Sequence, residues 1–344
     1  MSQSPLDGKR CLVTGGAGYL GRHLVSALRA KGCSVHALDK APSPEPREGV
    51  YWFQGDVRDP ALVAAACEGV DTVFHTAAVI DALTHARRSI AREIESINVG
   101  GTVNVIRVAQ RQGVRRLVHT SSIVASFCMG AAGADETAPY STSRDLYTAT
   151  KVRGERAVLA ANGEHGLLTC AIRPGGIYGP GERFTYGRLV RALKRGAPLV
   201  VFGDGRARLD YVYIDSLVEG EIRAAERLVE GSPVCGQAYF LSDDTPINAG
   251  QFSIDLAKHM GLQVPLVRVP DPLARAVGTV WERFYQIFGA PKPMFTLANV
   301  KLCDIDHYFS IEKAKRDLGY APLVDTDEGI RRTAVEAREY YDRL

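Results

Sequence analysis

Eight residues near the N-terminus, Thr14-Gly15-Gly16-Ala17-Gly18-Tyr19-Leu20-Gly21, leave this chain few folds to choose from. Glycines 15, 18 and 21 stand between an apolar, β-branched run at 10–14 and a helical run at 20–31, the order strand, loop, helix. Gly15 permits the tight turn, Gly18 lets backbone amides approach a pyrophosphate, and Gly21 lets the helix pack close to the sheet. The helix N-terminus then offers unpaired N–H groups and a partial positive charge to phosphates. Asp39 ends the next strand about 20 residues on, where a dinucleotide-binding unit needs an acid. Its carboxylate is expected to accept from the adenosine ribose hydroxyls and to repel a 2′-phosphate, which favours NAD over NADP; Lys40 beside it would tolerate a phosphate. Asp56, after a strand at 50–54, has two readings: a partner for the adenine amine, or a cap on a helix beginning at Pro60.

Further short apolar strands at 72–75, 116–120 and 168–172 alternate with helical stretches at 60–67, 90–112 and 147–161. Strands that are apolar throughout and separated by helices make a parallel sheet covered on both faces. The expected fold class is therefore α/β, a doubly wound Rossmann sheet with a smaller C-terminal substrate lobe. Gly- and Pro-rich joints at 175–181, 203–205 and 270–272 break the rhythm. They predict residues 1–175 as the NAD-binding domain and 176–344 as mostly substrate-binding, with some segments returning to the sheet.

A net charge of +3 is too mild for a nucleic-acid partner, and the basic run at 111–116 reads as a helix end followed by a surface turn. Seven cysteines scattered singly, with no C-x-x-C pair, predict buried thiols in a reducing compartment. Eight histidines without ligand spacing predict no metal. Residues 1–8 hold no signal-peptide core, and no apolar run reaches the ~18 residues of a membrane span, so a cytoplasmic protein without a transmembrane helix is expected.

Tyr147 and Lys151 lie four residues apart on one helix face. A lysine ammonium beside a phenol is expected to lower the tyrosine pKa towards a value useful for proton transfer. Thr120-Ser121-Ser122, at the end of the fifth strand, opens onto the same crevice and supplies a hydroxyl for a substrate oxygen.

With these features come Gly55-Asp56-Val57, His75-Thr76-Ala77-Ala78, Asn98-Val99-Gly100-Gly101-Thr102 and Arg173-Pro174-Gly175-Gly176-Ile177-Tyr178-Gly179-Pro180-Gly181. Together they make the chain resemble an extended short-chain dehydrogenase/reductase over nearly its whole length. The resemblance implies a catalytic set of Ser122 (Ser121 being the fallback), Tyr147 and Lys151. It also implies that Tyr19 and Leu20 with the glycines, then Val57, Ala77 and Ala78, contact the cofactor, and that Pro174 borders the nicotinamide. Asp210-Tyr211-Val212-Tyr213-Ile214-Asp215 and the stretch 307–323 are similar to the 3β-hydroxysteroid dehydrogenase group, which includes sterol-4α-carboxylate 3-dehydrogenases. That resemblance implies NAD-dependent oxidation of the 3β-hydroxyl of a steroid or sterol, with loss of CO₂ where a 4-carboxylate is present. Three rival readings are a 2-alkyl-3-oxoalkanoate reductase, a nucleotide-sugar epimerase or dehydratase, and a non-catalytic dinucleotide sensor.

Residues 272–289 place Leu273, Val277, Val280, Trp281, Phe284, Ile287 and Phe288 at helical spacing, with Arg275, Glu282 and Arg283 towards the other side. Such a helix packs on the substrate lobe, walls an apolar substrate pocket, or rests in a membrane interface. Arg87-Arg88 reads as a solvated helix start or as a site for a substrate carboxylate. The partners the chain admits are a small apolar substrate (a steroid, sterol or long-chain keto acid), a membrane surface through 272–289, and a second copy in a homodimer.

Overall fold

Seven strands, all paired in parallel, form the central sheet: β1 (Arg10–Thr14), β2 (Ser34–Asp39), β3 (Val50–Gln54), β4 (Thr72–His75), β5 (Arg116–Thr120), β6 (Leu168–Pro174) and β7 (Gln237–Leu241). Their order is β7-β6-β5-β4-β1-β2-β3. The computed structural model describes residues 5–43, 46–80, 88–126, 131–143, 145–289, 297, 300, 303 and 305–344. Strand order reverses between β1 and β4, which opens a crevice at the C-terminal ends of the strands. Thr14 lies opposite His75, His75 opposite His119, and Thr120 opposite Ile172, so the three strand ends that border the crevice are level with one another.

The strands are apolar throughout because both faces are covered. Helix α1 (Tyr19–Ala30) packs on one face, and α2 (Pro60–Ala66), α4 (Thr102–Arg111) and α5 (Leu146–Ala160) pack on the other. Leu24 and Leu28 of α1 join one apolar layer; Val63, Val105 and Val158 join the second. Between α2 and α4, the expected single helix at 90–112 is interrupted. Helix α3 (Arg88–Glu95) passes into a π-helical turn, Ser96–Gly101, before α4 begins. That turn buries Asn98, whose amide accepts from Val79 N (2.8 Å) and donates to Val79 O and Thr150 Oγ1, both at 3.1 Å. A regular helix would forgo this clamp between the segment after β4 and α5.

Helix starts separate the roles of neighbouring acids. Asp59 caps α2 by accepting from Ala61 N and Leu62 N, so Asp56 does not cap that helix. Asp145 caps α5 through Thr148 N at 2.8 Å. Helix α1 begins at Gly18 with no side-chain cap.

The second half contributes α6 (Tyr186–Lys194), α7 (Ile214–Arg227), α8 (Gln251–His259), α9 (Asp271–Phe288), α10 (Glu312–Leu318) and α11 (Thr326–Arg343). Helix α7 lies beside α1 on the sheet, and β7 extends the sheet next to β6. Short parallel pairs, 176–178 with 211–213 and 199–202 with 266–269, build the lobe beyond the strand ends. Of the described cysteines, Cys11, Cys33, Cys67 and Cys170 are buried thiols, and Cys128 lies outside the described residues. Among the described residues no helix is long and apolar enough to cross a membrane.

Candidate active site

A cavity of about 720 Å³ opens at the strand ends. Gly15, Gly18, Tyr19, Leu20 and Gly21 line it from the loop and α1, and Asp39, Lys40, Asp56 and Val57 from the ends of β2 and β3. Ala77 and Ala78 follow β4, Ser122 follows β5, Tyr147 and Lys151 project from α5, and Pro174 ends β6. One cavity thus gathers the residues expected to hold the cofactor and the set Ser122, Tyr147 and Lys151.

At the dinucleotide end, Gly15 takes φ +74°, a conformation that favours glycine. A Cβ on Gly21 would lie 2.0 Å from Gly15 O, so the close approach is to the loop's own carbonyl, not to the sheet. Asp39 does more than wait for a ribose. Its Oδ2 accepts from Ala17 N in the glycine loop (3.0 Å) and its Oδ1 from Ala41 N (2.9 Å), which fixes the loop against β2. Each carboxylate oxygen keeps a further acceptor site. Asp56 is held by Arg58, with Nη2 at 2.6 Å, and by Lys40 at 2.9 Å. These cations hold its carboxyl far below the usual range, Arg58 having the larger effect. Lys40, expected to be open to a phosphate, is therefore already paired.

The uncapped first turn of α1, the glycine loop and the Asp39 carboxylate fit a nicotinamide dinucleotide. At the other end of the cavity, Lys151 is buried and donates through Nζ to Thr120 O at 2.8 Å, 5.8 Å from the centre of the Tyr147 ring. Desolvation pushes the Tyr147 phenol up to about 12, only partly opposed by a hydrogen bond from Ser122. The expected lowering by Lys151 is thus corrected: the ammonium is aimed at a strand-end carbonyl instead of the phenol. Ser122 is half-buried beside Tyr147, whereas Ser121 is buried and donates to Glu155 Oε2 at 2.5 Å, which engages the fallback hydroxyl elsewhere.

Several polar residues behind the cavity carry no clear motif in the sequence. Glu155 accepts from Arg173 Nη2 at 2.6 Å, and Glu221 accepts from Thr120 Oγ1 at 2.6 Å; both acids are fully buried. Thr102 donates to Asn98 O (2.7 Å), so it accepts from His75 Nε2 (2.9 Å), and His75 Nδ1 accepts from Thr14 Oγ1 (2.8 Å). Burial pushes His75 down to about 3, so it stays neutral, stacked on His119 at 5.3 Å. A usable signal existed for Glu221. It sits on the apolar stripe of α7, one turn from Leu217 and Ala225, where a charge has no solvent.

The apolar part of the cavity wall comes from Val79, Ile80, Ile90, Ile94, Ile177 and Phe184. No described residue of α9 lines it, so the pocket-wall reading of 272–289 is corrected. Packing on the lobe does not describe that face either. Leu273, Val280, Ile287 and Phe288 are 55%, 70%, 73% and 66% exposed; among the described residues of the helix, Ala274 and Gly278 are the buried ones. Arg87 lies outside the described residues, and Arg88 opens α3.

A doubly wound sheet with serine, tyrosine and lysine gathered at its mouth defines an extended short-chain dehydrogenase/reductase, an oxidoreductase of CH–OH groups. Residues 12–270 match the 3-beta hydroxysteroid dehydrogenase/isomerase family, and the chain belongs to it. It is 43% identical to a Mycobacterium tuberculosis protein named 3 beta-hydroxysteroid dehydrogenase/Delta 5→4-isomerase, over 97% of this chain and 91% of that one. An Arabidopsis thaliana 3beta-hydroxysteroid-dehydrogenase/decarboxylase is 35% identical over 94% of this chain and 78% of its own length. The fold is also that of a dTDP-glucose 4,6-dehydratase from Streptomyces venezuelae solved with NAD bound, with a TM-score of 0.75, 24% identity, and coverage of 96% and 97% of the two chains.

Proposed function

We propose that this protein oxidises the 3β-hydroxyl of a steroid or sterol with NAD⁺. Ser122, Tyr147 and Lys151 carry the proton chemistry; residues 1–175 bind the cofactor, and most of 176–344 forms the substrate side. The observation that carries the reading is the isoleucine-rich wall that shares one cavity with Ser122 and Tyr147. A fused-ring alcohol buries apolar surface there at roughly 25 cal/mol per Å². A nucleotide sugar would instead set its diphosphate against isoleucines, and a sensor needs no phenol at the mouth. A long-chain keto acid suits the same wall, but the family match favours the steroid.

When bound, NAD⁺ supplies the hydride acceptor, with Gly15, Gly18, Gly21 and Asp39 as its holders. Ser122 orients the substrate hydroxyl and donates to the Tyr147 oxygen, which acts as base after giving up its own proton to solvent. Tyr147 takes the hydroxyl proton, and the Lys151 ammonium, anchored on Thr120 O, keeps positive charge near the phenol and is placed to hold the ribose. NAD⁺ is favoured over NADP⁺ because Asp39 faces the cavity and Lys40 is committed to Asp56. The test is a panel of 3β-hydroxysteroids with NAD⁺ and, separately, NADP⁺, read at the NADH band. Turnover with a lower KM for NAD⁺ is expected. Absence of turnover across the panel, with NAD⁺ still bound, would overturn the steroid assignment.

The exposed apolar face of α9 favours a second element of the reading: the helix rests on a membrane surface, from which an apolar substrate is drawn. In sedimentation with phospholipid vesicles, Val280→Glu/Ile287→Glu should lower binding by at least about tenfold, since burying each side chain contributes roughly 1.5–3 kcal/mol. A wild-type protein that leaves vesicles untouched, or a dimer that this double variant separates, refutes the membrane role.

A further inference from the structure

Lys151, like Arg173, is a buried cation at the site. The acid nearest in sequence, Glu155, is taken by Arg173 through hydrogen bonds of 2.6, 3.0 and 3.2 Å. His75 on β4 and His119 on β5 also face the ammonium, and burial keeps both neutral. Tyr147 is protonated, and Cys170 on β6, beside Glu221, is held as a thiol by burial. Glu221 is left. It arrives on α7, from the opposite face of the sheet, and Thr120 joins it to the lysine: the hydroxyl donates to Glu221 Oε1 at 2.6 Å while the carbonyl accepts from Lys151 Nζ at 2.8 Å. Among the described residues Glu221 Oε2 is buried with no hydrogen-bond partner, and no other ion pair claims this carboxylate.

We propose that Glu221 is a positioning residue for the reaction: through Thr120 it fixes the carbonyl that aims Lys151, and its charge keeps the buried ammonium protonated. The buried set then balances, with Lys151 and Arg173 against Glu155 and Glu221. A buried ammonium without a counter-charge discharges instead of staying charged. The electrostatics agree in direction. Burial draws Lys151 down to about 8 and Glu221 is the largest influence holding it up; burial raises Glu221 to about 7, opposed by Thr120 and Lys151. Both groups are charged together only in a window near neutrality to mildly alkaline pH. The inference rests on Lys151 belonging to the catalytic group, but not on the identity of the substrate.

The experiment is trace acetylation of Lys151 against pH, quantified by mass spectrometry on the ligand-free protein, in wild type and Glu221→Gln. It needs neither steroid nor cofactor, so a wrong substrate assignment cannot imitate its failure. Glutamine keeps shape and the Thr120 hydrogen bond while removing charge. The Lys151 titration should move down by about one to three units. Thr120→Val, which removes the donor that favours the Glu221 carboxylate, should move it the same way and decides the matter should Glu221→Gln not fold. A folded variant whose Lys151 titrates as in wild type overturns the proposal. In enzyme shown to turn over a steroid, Glu221→Gln should also lose activity at lower pH than wild type as the alkaline limb is approached.

Discussion

Replacing Tyr147 with phenylalanine should lower kcat for 3β-hydroxysteroid oxidation by about 10²–10⁴-fold, the usual contribution of a placed general acid–base group, while NAD⁺ affinity and Tm stay near wild type. The ring keeps its packing at the start of α5, and the Asp145 cap on Thr148 N does not involve the side chain of residue 147. Only the hydroxyl goes, and with it the atom to which Ser122 donates. The phenol is held near 12 in the ligand-free protein. It is therefore protonated in the ligand-free protein, and the tyrosinate that acts as base, and with it the rate, should rise with pH until Lys151 discharges. Lys151 titrates near 8, just above Glu221, and beyond that pH the ammonium is lost. Stopped-flow NADH formation and fluorescence titration of NADH separate the two effects. Turnover within tenfold of wild type would remove Tyr147 from the proton path.

Features close together in sequence were legible from sequence. The glycine loop and Asp39 are read by spacing alone, because one strand, one turn and one helix bring them together. The first six sheet strands were legible because strands covered on both faces are continuous apolar runs. The seventh, Gln237–Leu241, follows irregular chain and joins the sheet only through pairing with β6. Spacing also placed Tyr147 and Lys151 on one helix face, but it could not tell where a flexible lysine would point. The Thr120 carbonyl, which comes from a strand, decides that. Periodicity likewise marked the apolar face of α9 without saying whether protein covers it. The acids behind the site were harder still, since Glu155, Arg173 and Glu221 meet only after the sheet has brought three elements together.

The largest stability effect expected is at that meeting point. Glu155→Ala should cost about 3–5 kcal/mol in urea unfolding, the usual result of removing one partner of a buried ion pair. Glu155 is fully buried and accepts from Ser121 and through three hydrogen bonds from Arg173, so alanine strands a guanidinium lodged between the Tyr140 and Phe240 rings. Among the described residues Arg173 Nη1 already lacks an acceptor, so none is at hand to take up the loss. If the penalty comes from the stranded charge and not from lost attraction, Glu155→Met with Arg173→Met should recover most of it, because desolvation of both ions disappears together. The same pair of variants separates stability from chemistry. Ser121 loses its acceptor in both, so a fall in kcat shared by the single and the refolded double variant would mean that the Ser121–Glu155 bond sets the strand end on which Ser122 sits. A single variant within about 1 kcal/mol of wild type would instead mean that water reaches Arg173, and the charge balance drawn around Lys151 would have to be redrawn with it.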